Sequence, residues 1–281
     1  MPDFRHRIAD GMARTGDRLR LALVPMLFAL LDVSKIQSTL AFEGTHFGLR
    51  LGLPLSVVTV WQFVSVPSTG VSVNTGVPIR FLPFALVTVP ALLAVQTALT
   101  AGYFGSVRNV LNGDPSQFVE NSRRYFLPFL ALTALPYLAA VPAVLGTASA
   151  TGTLGGTAVL FVLPALLVFL VAGYLFYATP YLVVLRDTGL VAAARQSYAL
   201  AVQGGPYASY AIGFALFVFA VSPFATLVVV NVPFVGVLVG VLAGGYLGLG
   251  ANIATMRFVA DLDPGSSVEA SWPSDAPERA D

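Results

Sequence analysis

The chain contains no cysteine. That excludes disulfides, thiolate nucleophiles and Cys-ligated metals. Histidine is nearly absent too. His6 and His46 are far apart in the chain and are expected on opposite membrane sides, so a His-based metal site or catalytic dyad within one chain is not expected. Charge is scarce: 10% of the 281 residues are Asp, Glu, Lys or Arg, where a soluble domain carries about 25%. Of the 15 basic residues, only Lys35 is a lysine. The net charge of +1 points to no partner, and no basic cluster suggests nucleic acid.

What fills the chain instead is apolar. Hydrophobic residues make up 56% of it and its mean hydropathy is +0.80. Several apolar runs reach about 20 residues, the length that crosses a bilayer as a helix. The expectation is an all-α polytopic membrane protein with six transmembrane helices. They are Leu19–Leu40, Phe81–Val107, Tyr125–Leu145, Thr157–Leu185, Tyr207–Val230 and Phe234–Phe258. Residues 1–18 read as a cytoplasmic amphipathic segment, 19–260 as the six-helix domain, and 261–281 as a disordered acidic tail.

The stretch Pro180–Pro206 reads as the pivot between two spans. Asp187 or Thr188 offers a helix cap, and Gly204-Gly205-Pro206 a stop. Between them Val191, Ala194, Tyr198, Ala201 and Val202 share one helical face, with Arg195 and Gln196 opposite. That is a short helix lying at the membrane surface, or else a plain charged loop. A second surface helix is expected after Asp114-Pro115-Ser116-Gln117, with Asp114 as cap, Pro115 first and Gln117 third. Arg108, Arg123, Arg124, Arg186 and Arg195 would then be the interfacial basic residues.

Residues 43–80 form the longest loop. Val57–Val66 is rich in β-branched and aromatic residues, and Ser68-Thr69-Gly70 reads as a turn. A small outer β-hairpin or a re-entrant segment fits, with Trp61 near the interface; a seventh span over Gly48–Pro67 is the rival. Asp32 and Lys35, three residues apart within the first expected span, are a candidate intramembrane polar pair. They are either a functional site or a self-neutralised pair at the outer interface. Gly236, Gly240, Gly244 and Gly248 form a stripe that lets a neighbouring backbone approach, in a homodimer seam or within the monomer.

Gly102-Tyr103, Gly173-Tyr174 and Gly245-Tyr246 recur in alternate spans, which suggests three helical hairpins. Positive charge is asymmetric. On the six-span reading twelve arginines, from Arg5 to Arg279, lie on one side and only Lys35, Arg50 and Arg80 on the other. The rule that basic flanks stay inside places both termini in the cytoplasm of a multi-pass cell-membrane protein.

The residues from Gly173 to Gly205 (GYLFYATPYLVVLRDTGLVAAARQSYALAVQGG) and Met256–Pro264 (MRFVADLDP), with Gly102–Pro128 (GYFGSVRNVLNGDPSQFVENSRRYFLP), resemble an uncharacterised six-span membrane protein family of haloarchaea. The pattern is distantly similar to the membrane domain of glycerophosphoryl diester phosphodiesterases. The catalytic barrel of those enzymes has no counterpart here, so the resemblance implies no activity and carries over no site.

No catalytic, cofactor-binding or metal residue is assigned, and no cofactor is expected. The first functional expectation is a non-catalytic membrane module that binds lipid or a partner, the partner being another membrane protein or a second copy. A small-solute transporter or permease-like protein is the alternative, resting on the repeat and on Gln96, Thr97, Thr100, Ser222 and Asn252. A membrane enzyme acting on lipid is the third, with Asp32, Asp114 and Asp187 as its acids.

Overall fold

A computed structural model describes residues 3–16, 18–67, 82–149, 157–232 and 234–268; the side chains of 82–86, 139–149, 157–163 and 165–166 lie outside that description. Among the described residues the protein is all-helical, without strands. Its helices are α1 (Phe4–Gly16), α2 (Leu19–Leu31), α3 (Val33–Leu40), α4 (Leu82–Leu111), α5 (Phe118–Arg124), α6 (Phe126–Ser149), α7 (Thr157–Phe176), α8 (Thr179–Leu185), α9 (Leu190–Gln203), α10 (Pro206–Asn231) and α11 (Val235–Leu262). Four stretches are long and apolar enough to cross a membrane: Val87–Leu111, Leu167–Leu185, Pro206–Asn231 and Val235–Leu262. Leu19–Leu31 and Phe126–Leu138 are shorter apolar helices. These are the helices of a membrane protein.

The element at the centre is α11 rather than the 180–206 stretch. It packs on α1, α2, α4, α8 and α10. Its small residues make this possible: Gly236, Gly240, Gly244, Gly245, Gly248, Gly250, Ala251 and Ala254 are all buried. With so little side chain on one helix, α1, α2, α10 and the loop at Val58–Val60 reach its backbone at once.

The first expected span is corrected. It does not run unbroken from Leu19 to Leu40 but ends at Leu31, and α3 restarts after Asp32. Asp32 sits at φ −81°, ψ 65°, off the helical basin, and its carboxylate accepts from the Lys35 N–H as the cap of α3. Nor is α1 a helix apart from the bundle. It runs antiparallel along α11, from Arg7 beside Asp261 to Met12, whose carbonyl takes the Tyr246 hydroxyl at 3.0 Å. Gly11 is pressed against Gly250 and Ala254. Then α2 continues along the same helix, with Ala22 and Met26 at Gly245.

Two helix starts differ from the sequence expectation. Asn109 accepts from the Asp114 N–H at 2.8 Å and its side chain donates to the Pro115 carbonyl at 3.2 Å. That folds 114–115 back on the end of α4, so α5 begins only at Phe118, with Gln117 at φ 31° and no side-chain cap. Asp187 likewise is no cap. It takes φ 50° and turns to Arg124, and α9 starts after Gly189. The expected stop holds: Gly204 and Gly205 take φ of 65° and 54°, which glycine adopts without strain.

In α9 the buried face is Ala193, Ser197, Leu200 and Ala201, while Val191, Tyr198 and Val202 are exposed; Arg195, expected opposite them, is exposed one turn from Val191 and Tyr198, and Ala201, expected on their face, is buried. Residues 261–268, expected in a loose tail, are packed. Asp261 and Leu262 finish α11, Asp263 is buried, and Val268 joins the core. The Ser267 N–H donates to the Leu185 carbonyl at 3.0 Å. Loop residues 68–80, Phe81, Pro233, 150–156 and the tail 269–281 lie outside the described residues.

Candidate functional site

The long loop supplies the most unusual feature of the fold. Residues 46–67 leave the free end of α10, enter the bundle and return. The entry is fixed by Asn231, whose side chain bonds both the N–H of His46 at 2.7 Å and its carbonyl at 2.9 Å. The return is fixed by Thr226, which accepts from the Ser65 N–H at 2.9 Å. The two arms are tied by side chains rather than by a strand ladder: Gln62 donates to the Leu53 carbonyl at 2.9 Å and Arg50 to the Val64 carbonyl at 3.4 Å. The β-hairpin expectation is therefore corrected for the described part of the loop. A re-entrant segment with one 3-10 turn, Val60–Gln62, stands in its place. Val58, Val60, Trp61, Phe63 and Val64 are buried, which is why an apolar, β-branched run sits in this loop.

Irregular backbone at membrane depth survives only where protein groups satisfy it. Here Asn252 of α11 does so. Its Oδ1 accepts from the Val58 N–H at 3.0 Å and from the Tyr103 hydroxyl at 3.1 Å. Its Nδ2 donates to the Ser56 carbonyl at 3.0 Å and to the Tyr181 hydroxyl at 2.9 Å. Tyr181 in turn donates to the Pro54 carbonyl at 3.3 Å. One amide so joins α4, α8, α11 and the loop. Asn252 lies about 25 Å from the Val235 end of α11 and about 15 Å from its Leu262 end.

The candidate polar pair is formed. Lys35 Nζ lies 2.5 Å from Asp32 Oδ2, and both side chains are about one-third exposed. Asp32 also forms the rim of a polar cavity of about 360 Å³ whose other polar groups are Thr59, Gln96 and Tyr137.

The candidate glycine stripe faces inward. Gly236 and Gly240 lie against Val228 and Val229 of α10, while Gly244 and Gly248 lie against Val60 and Val58 of the re-entrant segment. Half of the stripe thus receives a helix and half receives a loop. The three repeat tyrosines are not equivalent: Tyr103 is fully buried against Asn252, Tyr174 donates to the Ala201 carbonyl, and Tyr246 is 37% exposed.

Three of the five candidate interfacial arginines converge at the other end, where α11 finishes. Arg124 forms a two-pronged pair with Asp187. Arg186 does the same with the buried Asp263, at 2.6 Å through Nε. Arg108 donates to the hydroxyls of Tyr125 at 3.0 Å and Ser267 at 3.1 Å. Arg123 and Arg195 are exposed. The Arg124 guanidinium holds the Asp187 carboxyl below its ordinary value, and Asp263 raises that of Arg186. Arg108, Asn109, Asp114, Glu120 and Arg124 line a second polar cavity of about 280 Å³. Two acids of the enzyme reading, Asp114 and Asp187, therefore lie near Arg108 and Arg124, but Asp187 is engaged by Arg124 and Asp114 is exposed. Among the described residues, no group of three or more His, Asp or Glu side chains could hold a metal.

Sequence reasoning missed the ionic seam between α1 and α11. Arg7 bonds Asp261 at 2.6 Å and lies 5.0 Å over the Phe258 ring; Arg257 bonds Asp10 at 2.5 Å. The signal was present. Arg7 and Asp10 sit one turn apart on α1, and Arg257 and Asp261 one turn apart on α11, so antiparallel packing pairs each with its opposite.

No protein-family model, curated protein or solved structure matches the chain. The class is therefore set by the fold alone: a helical membrane protein whose bundle is filled by a re-entrant segment.

Proposed function

We propose that this chain is a non-catalytic membrane protein that holds anionic lipid at its arginine-rich end. The observation that carries the reading is the pair of short helices α5 and α9, with Arg124 at the end of α5 bonded to Asp187 in the turn that leads into α9. Beside that bond each helix presents an exposed apolar residue next to an exposed arginine: Val119 with Arg123, and Val191, Tyr198 and Val202 with Arg195. Apolar side chains at the acyl boundary with guanidinium groups at headgroup level are the chemistry of an interfacial helix on an anionic leaflet. Replacing both arginines (Arg123→Gln with Arg195→Gln) should lower the phosphatidylglycerol retained on the purified protein several-fold, measured by native mass spectrometry, and leave retained phosphatidylcholine unchanged. Equal loss of both lipids would refute headgroup selectivity.

In this reading the bundle crosses the membrane six times, through α1 with α2, α4, α6, α7 with α8, α10 and α11, and belongs to the cell membrane with both termini in the cytoplasm. The clustering of arginines at one end supports that orientation. The chain has no cysteine, so single cysteines report sidedness without background. In intact cells an impermeant maleimide should label Thr45→Cys, at the α10 turn end, and should reach Ser116→Cys only after lysis. The reverse pattern inverts the protein.

A second reading is a small-solute transporter. The broken helix at Asp32 and the re-entrant segment favour it, because discontinuous elements at membrane depth build solute sites. Uptake into proteoliposomes that fails in Asn252→Leu but survives in the arginine double variant would select it.

A further inference from the structure

We propose that the cavity at the break between α2 and α3 is a binding site for a neutral, hydroxyl-rich group, either a free polyol or the sugar or glycerol headgroup of a lipid. It lies at the opposite end from the lipid-facing arginines and stands without that reading.

The position of the cavity comes first. Val58 meets Gly248 and Val60 meets Gly244, so Thr59 lies about 14–20 Å in from the Val235 end of α11. Gln96 is two helical turns before Tyr103, whose hydroxyl reaches Asn252, which puts it at the same depth. The floor of the cavity is therefore polar in the middle of an apolar layer. Half-buried Gln96 and 51%-exposed Tyr137 touch each other at 3.3 Å; among the described residues that is the one side-chain hydrogen bond of either, which leaves most of their hydrogen-bonding capacity to the cavity. A primary amide and a phenol at this depth are costly to leave with unused hydrogen-bonding capacity.

The chemistry of the lining decides the ligand. Asp32 is the one formal charge among the described residues that line it. Its carboxylate is already engaged by Lys35 Nζ at 2.5 Å and the Ser34 hydroxyl at 3.1 Å, so it does not call for a cation. A carboxylate at the rim also repels an anion. What remains is an amide, two hydroxyls and a satisfied carboxylate edge, which both donate and accept, set against Phe28, Leu31 and Trp61. Mixed donors and acceptors beside flat apolar walls suit the alternating hydroxyl and C–H faces of a polyol. At about 360 Å³ the cavity is at the small end of ligand sites, roughly 300–1,000 Å³.

The protein carries its own reporter. Of its two tryptophans, Trp61 lines the cavity, and Trp272→Phe leaves it alone. In nanodiscs of phosphatidylcholine, glucose or glycerol should shift the Trp61 emission saturably. Gln96→Leu should raise the half-saturating concentration about tenfold or more, as expected for losing one or two hydrogen bonds. Tyr137→Phe, which keeps the ring, should weaken it less. A response only to nanodiscs containing a glucosyl diacylglycerol would assign the group to lipid; a response to free glucose would assign it to a solute. Choline acting in place of the polyols, no saturable response to any of these probes, or equal half-saturation in both cavity variants would overturn the proposal.

Discussion

Asn252→Leu should give the larger stability loss of any single side-chain truncation in the bundle core, although leucine is close to asparagine in volume. The substitution removes both a donor and an acceptor from a point where four groups meet. Val58 N–H and the Tyr103 hydroxyl lose their acceptor, and the Ser56 carbonyl loses its donor. The Tyr181 hydroxyl keeps its bond to Pro54. An unsatisfied buried polar group costs about 1–3 kcal/mol, so the buried Val58 N–H and Tyr103 hydroxyl together cost about 2 kcal/mol even at the low end. Tyr103→Phe leaves Asn252 with Val58 and should cost about 1 kcal/mol. Thermal unfolding in detergent should therefore order the proteins wild type, Tyr103→Phe, then Asn252→Leu. A second readout separates loop release from general loosening. Trp61 is 3% exposed and its indole N–H donates to the Ala29 carbonyl at 2.8 Å. In the Trp272→Phe background, Asn252→Leu should move its emission to the red before the global transition. Similar stability for the two variants would mean that Asn252 does not hold the loop.

How much of this could be read from the chain depends on where the information lies. Helix location was legible because a run of about 20 apolar residues has few other physical uses. The expected fifth and sixth spans agree with α10 and α11 to within a few residues. The Gly204-Gly205 stop was legible for the same local reason, since both residues take backbone angles that favour glycine. What depended on distant partners was not legible. Asp114 and Asp187 carry good capping chemistry, but the Asn109 carbonyl holds the Asp114 backbone N–H back against α4, and Arg124 takes the Asp187 carboxylate. Asp32 within an apolar run reads equally as an interior charge or an interfacial one, and only the broken helix places it at a cavity rim. The amphipathic pattern of residues 1–16 shows a helix but not what covers it. The covering helix is α11, about 240 residues away, whose glycines make room. Asn252 was legible as a buried polar residue; that it serves a loop nearly 200 positions earlier was not.

The loop and the glycine stripe are two sides of one contact, and Gly248→Ala tests it most sharply. On an exposed helix face alanine is favoured over glycine by about 1 kcal/mol. At Gly248 the sign should reverse, because the added methyl would overlap the carbonyl oxygen of Val58, a backbone atom that no rotamer change can move. Gly244→Ala meets the Val60 side chain and its backbone, with Cα at 2.7 Å and N at 2.9 Å. Gly240→Ala meets mainly a methyl of Val229, a side chain that can shift where a backbone carbonyl cannot. Overpacking of this kind costs about 1–3 kcal/mol when the neighbour is held in place. Thermal stability should thus fall most at Gly248 and Gly244 and least at Gly240. In the first two the Trp61 emission should also move to the red, since their methyls push on Val58 and Val60, which flank Thr59 just before Trp61. Were the stripe instead a seam between two copies, all three substitutions would change the oligomeric state on size exclusion and leave Trp61 unmoved. The geometry distinguishes these outcomes in advance: the residues that a new methyl would strike belong to the same chain.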